Sequence, residues 1–244
     1  MEQLETDKDQ HMLTDLKILK EEIKSAELKE TDEVIEIGAG TGNLTKEIVK
    51  KVKKLTAFET DLKFKDNLRE IEMENKNLEI IWGNALDYPW KGKVVSNIPY
   101  SLSEPVIMKA IASDIEIMVL IVGENLKEIL EAKESKLGII ANLFYKITPI
   151  DKVDKNKFFP QPRVNSWMIK FVKKKITDKD KILLEVAFSD KKIKNALMSS
   201  FILRGKTKNQ SREIIDKMKI DQNVLNKPSA RMTGKFMLIL KDKL

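Results

Sequence analysis

Three residues with distinct chemical roles close a short apolar run in VVSNIPYSLSEP, residues 94–105. The run ends at the side-chain amide of Asn97, and Pro99 and the ring of Tyr100 follow it. Pro99 fixes its own φ and restricts Ile98 to extended geometry, so the neighbouring carbonyl groups point in defined directions. Tyr100 offers a flat face on which a planar base can stack. The segment therefore combines hydrogen-bond acceptors with a stacking surface.

This combination suits methylation of an exocyclic amine such as that of adenine. The amine is a poor nucleophile because its lone pair is delocalised into the ring. If the Asn97 amide oxygen and a backbone carbonyl each accept one N–H, they favour a pyramidal nitrogen whose lone pair points at a methyl sulfonium. Positioning then carries the reaction without a strong general base, and the base must leave any stack to reach the site. A proline turn beside a core tyrosine is the alternative interpretation.

A second segment, GAGTG at residues 38–42, lies between a predicted strand and a predicted helix. Gly38, Gly40 and Gly42 allow a sharp turn and a close approach of the backbone to a ligand. The dinucleotide fingerprint asks for a further glycine at position 43, where this chain has Asn43, so nicotinamide enzymes fit poorly. A purely structural tight turn is the alternative.

An acidic residue, Glu59, ends the next predicted strand. At this interval from the glycine turn, its carboxylate can accept hydrogen bonds from both hydroxyls of a ribose. Asn84, just after the third predicted strand, is placed to meet the edge of an adenine through its amide. S-adenosylmethionine contains a ribose and an adenine but no pyrophosphate, and it is therefore the predicted cofactor. For Glu59 the alternative is an exposed charge at a strand end.

The elements that must position these residues alternate between strands and helices. The predicted strands are residues 33–37, 54–59, 78–83, 93–97 and 116–122, with the first helix at residues 13–27. Such alternation implies parallel βαβ units and an α/β sheet covered on both faces. Beyond Lys136 the pattern loosens into strand-like stretches at 143–153 and 165–174, and after Lys175 it becomes helical.

The charge is divided unevenly along the chain. Residues 1–150 hold 21 Lys+Arg and 28 Asp+Glu, so residues 151–244 hold 45−21=24 basic and 38−28=10 acidic residues, a balance of +14. The domain boundary is predicted near 174–177, which gives domains 1–175 and 176–244. A basic C-terminal part suggests a polyanionic partner, most plausibly nucleic acid. A solvated, lysine-rich surface is the alternative.

Composition excludes several classes of protein. The chain has no cysteine and a single histidine, His11, which excludes disulfides, thiolate metal sites and a histidine-based zinc cluster. The N-terminal residues MEQLETDKDQ are polar and do not read as a signal peptide, and no apolar run is long enough to span a bilayer. A cytoplasmic protein without a resident metal is the expectation.

Several motifs together resemble those of the rRNA adenine N6-methyltransferases. This family includes the KsgA-type small-subunit dimethyltransferases and the Erm enzymes. The central motifs are EIGAGTGNLT, the acidic residue of AFETD, GNAL and NIPYSLSEP. Outside them, the resemblance extends to DQHML, KFFPQPRVNS, KKIKNAL and KPSARMTGKFMLIL, so it runs from about residue 9 to the end. It implies a Rossmann-like S-adenosylmethionine-dependent methyltransferase sheet with a small all-helical, RNA-binding C-terminal domain.

The resemblance also implies roles for individual positions. It assigns to the S-adenosylmethionine site His11, Leu13, Gly38, Gly40, Glu59, Asn84 and Asn97. Tyr100 and Phe158 would sandwich the target adenine, with Phe158 chosen over Phe159 because it precedes the first proline of its motif by two positions. Asn97 and Pro99 would complete the catalytic set.

The implied activity is dimethylation of two adjacent adenines near the 3′ end of small-subunit rRNA, within a small-subunit precursor, by a monomer. An Erm-type activity on large-subunit rRNA is the first alternative. The second is an RNA-binding ribosome-assembly factor with little catalysis. It is motivated by Asn84 in place of the family's usual aspartate and by GEN at 123–125 in place of QKE.

Overall fold

The computed structural model describes residues 11–244, which divide into two compact units. The sheet unit comprises the described residues up to Glu128 together with Tyr145–Lys173. The helical unit comprises Ile129–Phe144 and Lys174–Leu244. The chain thus enters the helical unit twice, whereas the sequence suggested one crossing near residue 175. Predictions for DQ of the DQHML motif lie outside the described residues.

Nine strands form two sheets in the sheet unit. They are β1 Met12–Leu13, β2 Glu33–Ile37, β3 Lys54–Glu59, β4 Leu78–Trp82, β5 Lys93–Asn97, β6 Ile117–Gly123, β7 Tyr145–Val153, β8 Phe158–Phe159 and β9 Ser166–Lys173. The main sheet has the order β4-β3-β2-β5-β6-β9-β7, and β1 pairs separately with β8. The strands β2 to β6 are mutually parallel, while β9 runs antiparallel to both of its neighbours. The predicted α/β sheet is confirmed, with an antiparallel edge added to it.

Helices cover the strands because both faces of the parallel sheet are apolar. The interior strand β6 shows this, since Met118–Val122 is buried without alternation. The helices that begin in this unit are α1 Leu16–Ser25, α2 Asn43–Ile48, α3 Lys65–Glu74, α4 Ser103–Ala112 and α5 Glu124–Ala132. The division between the units falls within α5.

Helix α1 begins at Leu16, three residues later than the predicted start at Leu13, which belongs to β1 instead. The side chain of Asp15 accepts hydrogen bonds from the backbone N–H groups of the first turn. The buried face of the helix consists of Leu19, Glu22 and Ile23, whereas Leu16 is 60% exposed although it shares the helical spacing of the apolar positions. A carboxyl side chain therefore lies on the inner face of this helix.

The centre of the main sheet is its topological switch point. Strands β2 and β5 are neighbours, although the chain visits β3 and β4 between them. At their carboxyl ends, the Ser96 hydroxyl accepts a hydrogen bond from the N–H of Ile37 at 3.1 Å and donates one to its carbonyl at 2.6 Å. This side chain connects the strands where the backbone ladder stops. Open α/β sheets bind ligands at such points.

The helical unit is built from six helices. They are α6 Lys136–Phe144, α7 Asp178–Ala187, α8 Ile193–Leu203, α9 Lys208–Lys217, α10 Gln222–Leu225 and α11 Gly234–Lys243. Two of them begin with capping boxes, formed by Thr177 with Asp180 and by Thr207 with Gln210. No helix within residues 11–244 combines the length and apolar character that crossing a membrane requires.

Helix α6 explains why the chain enters the helical unit early. The sequence predicted a strand-like stretch from residue 143, but Leu143 and Phe144 complete this helix and the strand begins at Tyr145. The residues Leu137–Ala141 are all buried. Because the helix is apolar on nearly every side, it lacks the periodicity by which an amphipathic helix is recognised.

Candidate active site

A cavity of about 670 Å³ lies in the sheet unit at the carboxyl ends of the parallel strands. Nine of the ten predicted site residues line it: His11, Leu13, Gly38, Glu59, Asn84, Asn97, Pro99, Tyr100 and Phe158. The exception is Gly40, which contributes through a hydrogen bond described below. Gly38, Glu59, Asn84 and Asn97 are brought together because they lie at or just after strand ends, as the switch-point rule predicts.

The glycine loop, residues 38–42, forms one wall of the cavity. The N–H groups of Gly38 and Ala39 both donate to the carbonyl of Phe58, at 2.8 and 3.0 Å. Gly38 has φ +74°, a conformation that side chains disfavour, and a Cβ there would meet no protein atom within 4 Å. Since Gly38 lines the cavity, its missing side chain leaves space for a ligand.

Glu59 is held by backbone donors at the end of β3. Its Oε2 accepts a hydrogen bond from the N–H of Gly40 at 2.8 Å, and its Oε1 accepts from Thr60 and Asp61 at 2.7 and 2.8 Å. Gly40 has φ +53°, and a Cβ there would lie 2.6 Å from the Sδ of Met12. Gly40 therefore positions the carboxylate without reaching the cavity itself.

The N-terminal segment, residues 11–14, closes another side of the cavity. It forms β1, which pairs with β8 so that Leu13 lies opposite Phe158. Nδ1 of His11 donates to the carbonyl of Pro160 at 2.8 Å. This pairing brings Leu13 and Phe158 to the cavity, whereas Phe159 is 60% exposed. Phe158 therefore lies at the cavity and Phe159 faces solvent, as the choice of Phe158 for the base-stacking role requires.

The acceptor segment, residues 97–102, follows β5. Asn97 is the last residue of the strand and is partly buried, and Pro99 has φ −53° and ψ 136°. The Pro99 carbonyl accepts the N–H of Leu102 at 2.9 Å, which closes a 3₁₀ turn over Tyr100–Leu102. This hydrogen bond uses the Pro99 carbonyl. The carbonyl of Ile98, which also lines the cavity, is therefore the candidate backbone acceptor for a substrate amine.

Tyr100 is oriented by two residues from neighbouring strands. Its hydroxyl lies 2.6 Å from the Ser166 hydroxyl at the start of β9. Its ring lies against Gly123, where an added Cβ would be 3.1 Å from the ring carbon Cγ. The glycine of the GEN sequence therefore leaves room for the ring. The His11 ring is tilted by 32° to the Tyr100 ring, with centroids 6.3 Å apart.

Two further carboxyl groups, those of Glu36 and Glu22, are buried beside these residues. Glu36 lines the cavity and accepts a hydrogen bond from the Thr45 hydroxyl at 2.7 Å. Burial raises the pKa of Glu36 to about 8; the Thr45 bond opposes this rise and the charge of Glu59 adds to it. Burial, and then the charge of Glu36, hold the pKa of Glu22 well above its usual range, against the effect of a hydrogen bond with Asn97.

Sequence reasoning assigned no role to these two acids. Glu36 lies inside the quoted EIGAGTGNLT motif, and its position directly before the glycine loop was a usable signal. Glu22 follows Leu19 by three residues and precedes Ala26 by four, so it lies on the apolar stripe of the predicted helix. A charged residue on such a stripe indicates either a mispredicted face or a buried group with a partner.

Asn84 lies at the edge of the cavity and is exposed. Its Oδ1 accepts the N–H of Leu86 at 3.1 Å, so the side chain caps the short turn Ala85–Asp87. The amide nitrogen is the part of Asn84 that suits an acceptor on a bound base.

Comparison with known proteins places the chain in a family. The model of the ribosomal RNA adenine dimethylases matches residues 1–231. The chain belongs to this family. It is 33% identical over 226 residues to the "probable ribosomal RNA small subunit methyltransferase A" of Methanococcus maripaludis strain C7, covering 86% of each chain. It is 31% identical to the protein of that name from Methanopyrus kandleri, covering 87% of this chain and 82% of the relative.

Two solved structures share the fold of this chain. The dimethyladenosine transferase of Plasmodium falciparum superposes with a TM-score of 0.69 at 25% identity, covering 94% of this chain and 96% of the other. The 23S rRNA methyltransferase ErmE superposes with a TM-score of 0.66 at 20% identity, over 96% and 99%. The second likeness concerns the fold alone. The ribosomal RNA adenine dimethylase family and its methyltransferase fold, inferred from the motifs, are therefore confirmed.

Proposed function

We propose that this protein transfers methyl groups from S-adenosylmethionine to N6 of two adjacent adenines in small-subunit ribosomal RNA. One observation carries the proposal. The acceptor segment with Asn97 opens onto the same cavity as the glycine loop and Glu59. In this proposal, the nucleoside-containing donor and the base amine occupy one pocket.

The residues present suit S-adenosylmethionine. A cavity of about 670 Å³ is within the range of small-molecule sites. The backbone N–H groups that hold the Glu59 carboxylate fix it to accept hydrogen bonds from ribose hydroxyls. The buried carboxyl of Glu36 suits a cofactor that carries positive charge at its sulfur and its amino group. When bound, the cofactor supplies the electrophilic methyl group.

The acceptor segment supplies the positioning. The Asn97 oxygen and the Ile98 carbonyl each accept one N–H of the adenine amine, which favours a pyramidal nitrogen with its lone pair directed away from the ring. Tyr100 and Phe158 hold the base by its faces, and Pro99 restricts Ile98, which carries the second acceptor, to extended geometry. His11 and Leu13 close the cavity against water from the N-terminal side.

The helical unit and its basic surroundings supply the RNA contacts in this proposal. The balance of +14 over residues 151–244 suits a phosphate backbone. If these charges dock on phosphates, RNA affinity falls steeply as salt concentration rises, which filter binding at several salt concentrations measures. A flat dependence would assign the charges to solvation instead. In this proposal the substrate is ribosomal RNA in a small-subunit precursor. The protein acts as a monomer in the cytoplasm.

The substrate test uses isolated ribosomal subunits. Small and large subunits from cells lacking the protein are incubated with it and with cofactor labelled in the methyl group. We expect label in small-subunit rRNA, as dimethylated adenines in mass spectra of its nuclease digests. Label confined to the large subunit would instead support an Erm-type activity.

The alternative of an assembly factor with little catalysis makes a different prediction. A catalyst transfers many methyl groups per protein molecule, whereas a binding factor protects RNA without turnover. The buried arrangement around Asn97 favours catalysis, because simple RNA binding does not need it. Counting transferred methyl groups at excess RNA discriminates between the two.

A further inference from the structure

The buried carboxyl of Glu22 belongs to none of the motifs that predicted the site. It lies on the inner face of α1 with 0% of its surface exposed, beside Leu19 and Ile23. Burying a carboxyl group among apolar side chains costs free energy unless it has a partner. Its place on this face therefore requires a physical explanation.

The partner of Glu22 is Asn97. With its amide nitrogen turned toward the carboxylate, Asn97 donates to Oε1 at 3.3 Å and to Oε2 at 3.2 Å. In the opposite rotamer, the amide oxygen would face two carboxylate oxygens, and acceptor would oppose acceptor. In its ionised form Glu22 therefore distinguishes between two amide orientations that have nearly the same shape, whereas a protonated carboxyl group also has an O–H to donate to the amide oxygen.

We propose that Glu22 is a positioning residue that holds the Asn97 amide with its oxygen toward the acceptor amine. This inference rests on the proposed function, because the orientation matters only if Asn97 receives an N–H of the substrate. The reversed amide would present N–H groups to the N–H groups of adenine and would repel the base. Glu22 acts through Asn97 and does not touch the substrate.

The surroundings of Glu22 support a functional origin. Glu36, a second buried acid, raises the free energy of an ionised Glu22 by repulsion. An apolar residue on this helix face would avoid both the repulsion and the desolvation, and replacing buried charges in this way often stabilises proteins. Stability given up at an active site is the usual sign of a group kept for function.

The first experiment compares three variants. Glu22→Leu removes the acceptor and keeps the bulk, Glu22→Gln keeps an oxygen that accepts from Asn97, and Glu21→Leu is the matched control. Glu21 is the adjacent glutamate, which pairs with Lys24 on the outer side. For Glu22→Leu we expect kcat to fall by about 10- to 100-fold because the amine acceptor is misplaced. The KM for RNA should change less than about twofold, because the basic C-terminal part supplies the RNA contacts in the proposed function.

The conservative variant and the control complete the pattern. Glu22→Gln should recover kcat to within about fivefold of wild type, since a single amide oxygen replaces the carboxylate. Glu21→Leu should leave kcat unchanged. The melting temperature of Glu22→Leu should equal or exceed that of wild type.

A second measurement does not depend on turnover. The side-chain amide signals of Asn97 in a ¹⁵N–¹H correlation spectrum are assigned by their loss in Asn97→Ala. In wild type we expect slow exchange of these hydrogens with water, and in Glu22→Leu a shift with faster exchange. Glu22→Gln should resemble wild type.

The outcomes separate the inference from the function on which it rests. If wild type methylates rRNA and Glu22→Leu does so with an unchanged kcat, the positioning role is wrong. It is also wrong if the melting temperature falls together with kcat, or if the Asn97 signals do not move. If wild type itself methylates no adenine in either subunit, the proposed function fails, and the amide signals alone decide the Glu22–Asn97 contact.

Discussion

The two ends of the cavity are built in different ways. The glycine loop and Glu59 are held by backbone groups, since Gly40, Thr60 and Asp61 all donate to the carboxylate from the main chain. The acceptor segment is held by side-chain contacts of Asn97 and Tyr100 with distant positions. The absence of a side chain at Gly123 makes room for the Tyr100 ring. The first end is therefore fixed by local chain geometry, whereas single substitutions elsewhere in the sheet unit can adjust the second.

The largest effect is expected from a substitution that disrupts only the acceptor segment. Asn97→Ala removes one of the two acceptors for the amine, and we expect methyl transfer to fall by about 10³-fold. Filter binding of RNA should stay near wild type. The exposed Asn209 of α9 provides the control variant Asn209→Ala, with unchanged transfer. Transfer at the wild-type rate in Asn97→Ala would remove this residue from the mechanism.

The next largest effect is expected from a substitution in the glycine loop, at the end of the cavity assigned to the cofactor. Gly38→Ala adds a methyl group where φ is +74° and where no protein atom lies within 4 Å. We expect cofactor affinity, measured by calorimetry, to fall about tenfold or more, because the methyl group takes ligand space that is worth at least 1.4 kcal/mol.

Gly205 offers a matched control for this substitution. It has φ +81°, again with no atom within 4 Å, but it belongs to the helical unit. Both alanine variants should lose a similar stability of about 1 kcal/mol from backbone strain. Equal cofactor affinities in the two variants would contradict the assignment of the glycine loop.

The third prediction concerns how the free energy of unfolding depends on pH. The pKa of Glu36 is about 8 in the folded protein and lies near its ordinary value of 4.5 when the chain unfolds. The folded state therefore binds more protons between these values, so the free energy of unfolding falls as pH rises through this window, by on the order of a few kcal/mol. Urea unfolding of Glu36→Gln at several pH values should show a weaker fall, due to Glu22. Glu70→Gln, at an exposed position of α3, should keep the wild-type slope.

The smallest effect concerns Tyr100. Tyr100→Phe and Ser166→Ala each remove the hydrogen bond between the two hydroxyls, and each should lower kcat by about two- to fivefold, the value of one ordinary hydrogen bond. The double variant should lose no more than the larger single loss, since both act through one contact. Additive losses would show that Ser166 does not act through Tyr100.

Sequence reasoning found what local patterns determine. The bounds of β2, β3 and β5 match the predicted strands because apolar runs between turn residues define them. Asn97 and Glu59 were found because parallel strands present their carboxyl ends at one edge. Their catalytic and binding roles stay predictions until the variants are measured.

The rest depends on tertiary contacts that no local pattern reports. Ser166 reaches Tyr100 only because β9 adds to the sheet beside β6, and the need for a glycine at 123 arises from the ring that lies on it. Glu22 would have been expected at the surface, since glutamate is rarely buried without a partner. Helix α6 escaped detection for the opposite reason, an excess of apolar residues.

The pairing of β1 with β8 has a consequence for the newly made chain. One wall of the cavity comes from residues 11–13 and is held by residues 158–160, which are synthesised much later. A nascent chain can complete the glycine loop early, but it cannot close this wall until Pro160 has left the exit tunnel. The protein therefore gains its full cavity only in the second half of its own translation, when the ribosome making it has already read most of the sheet unit.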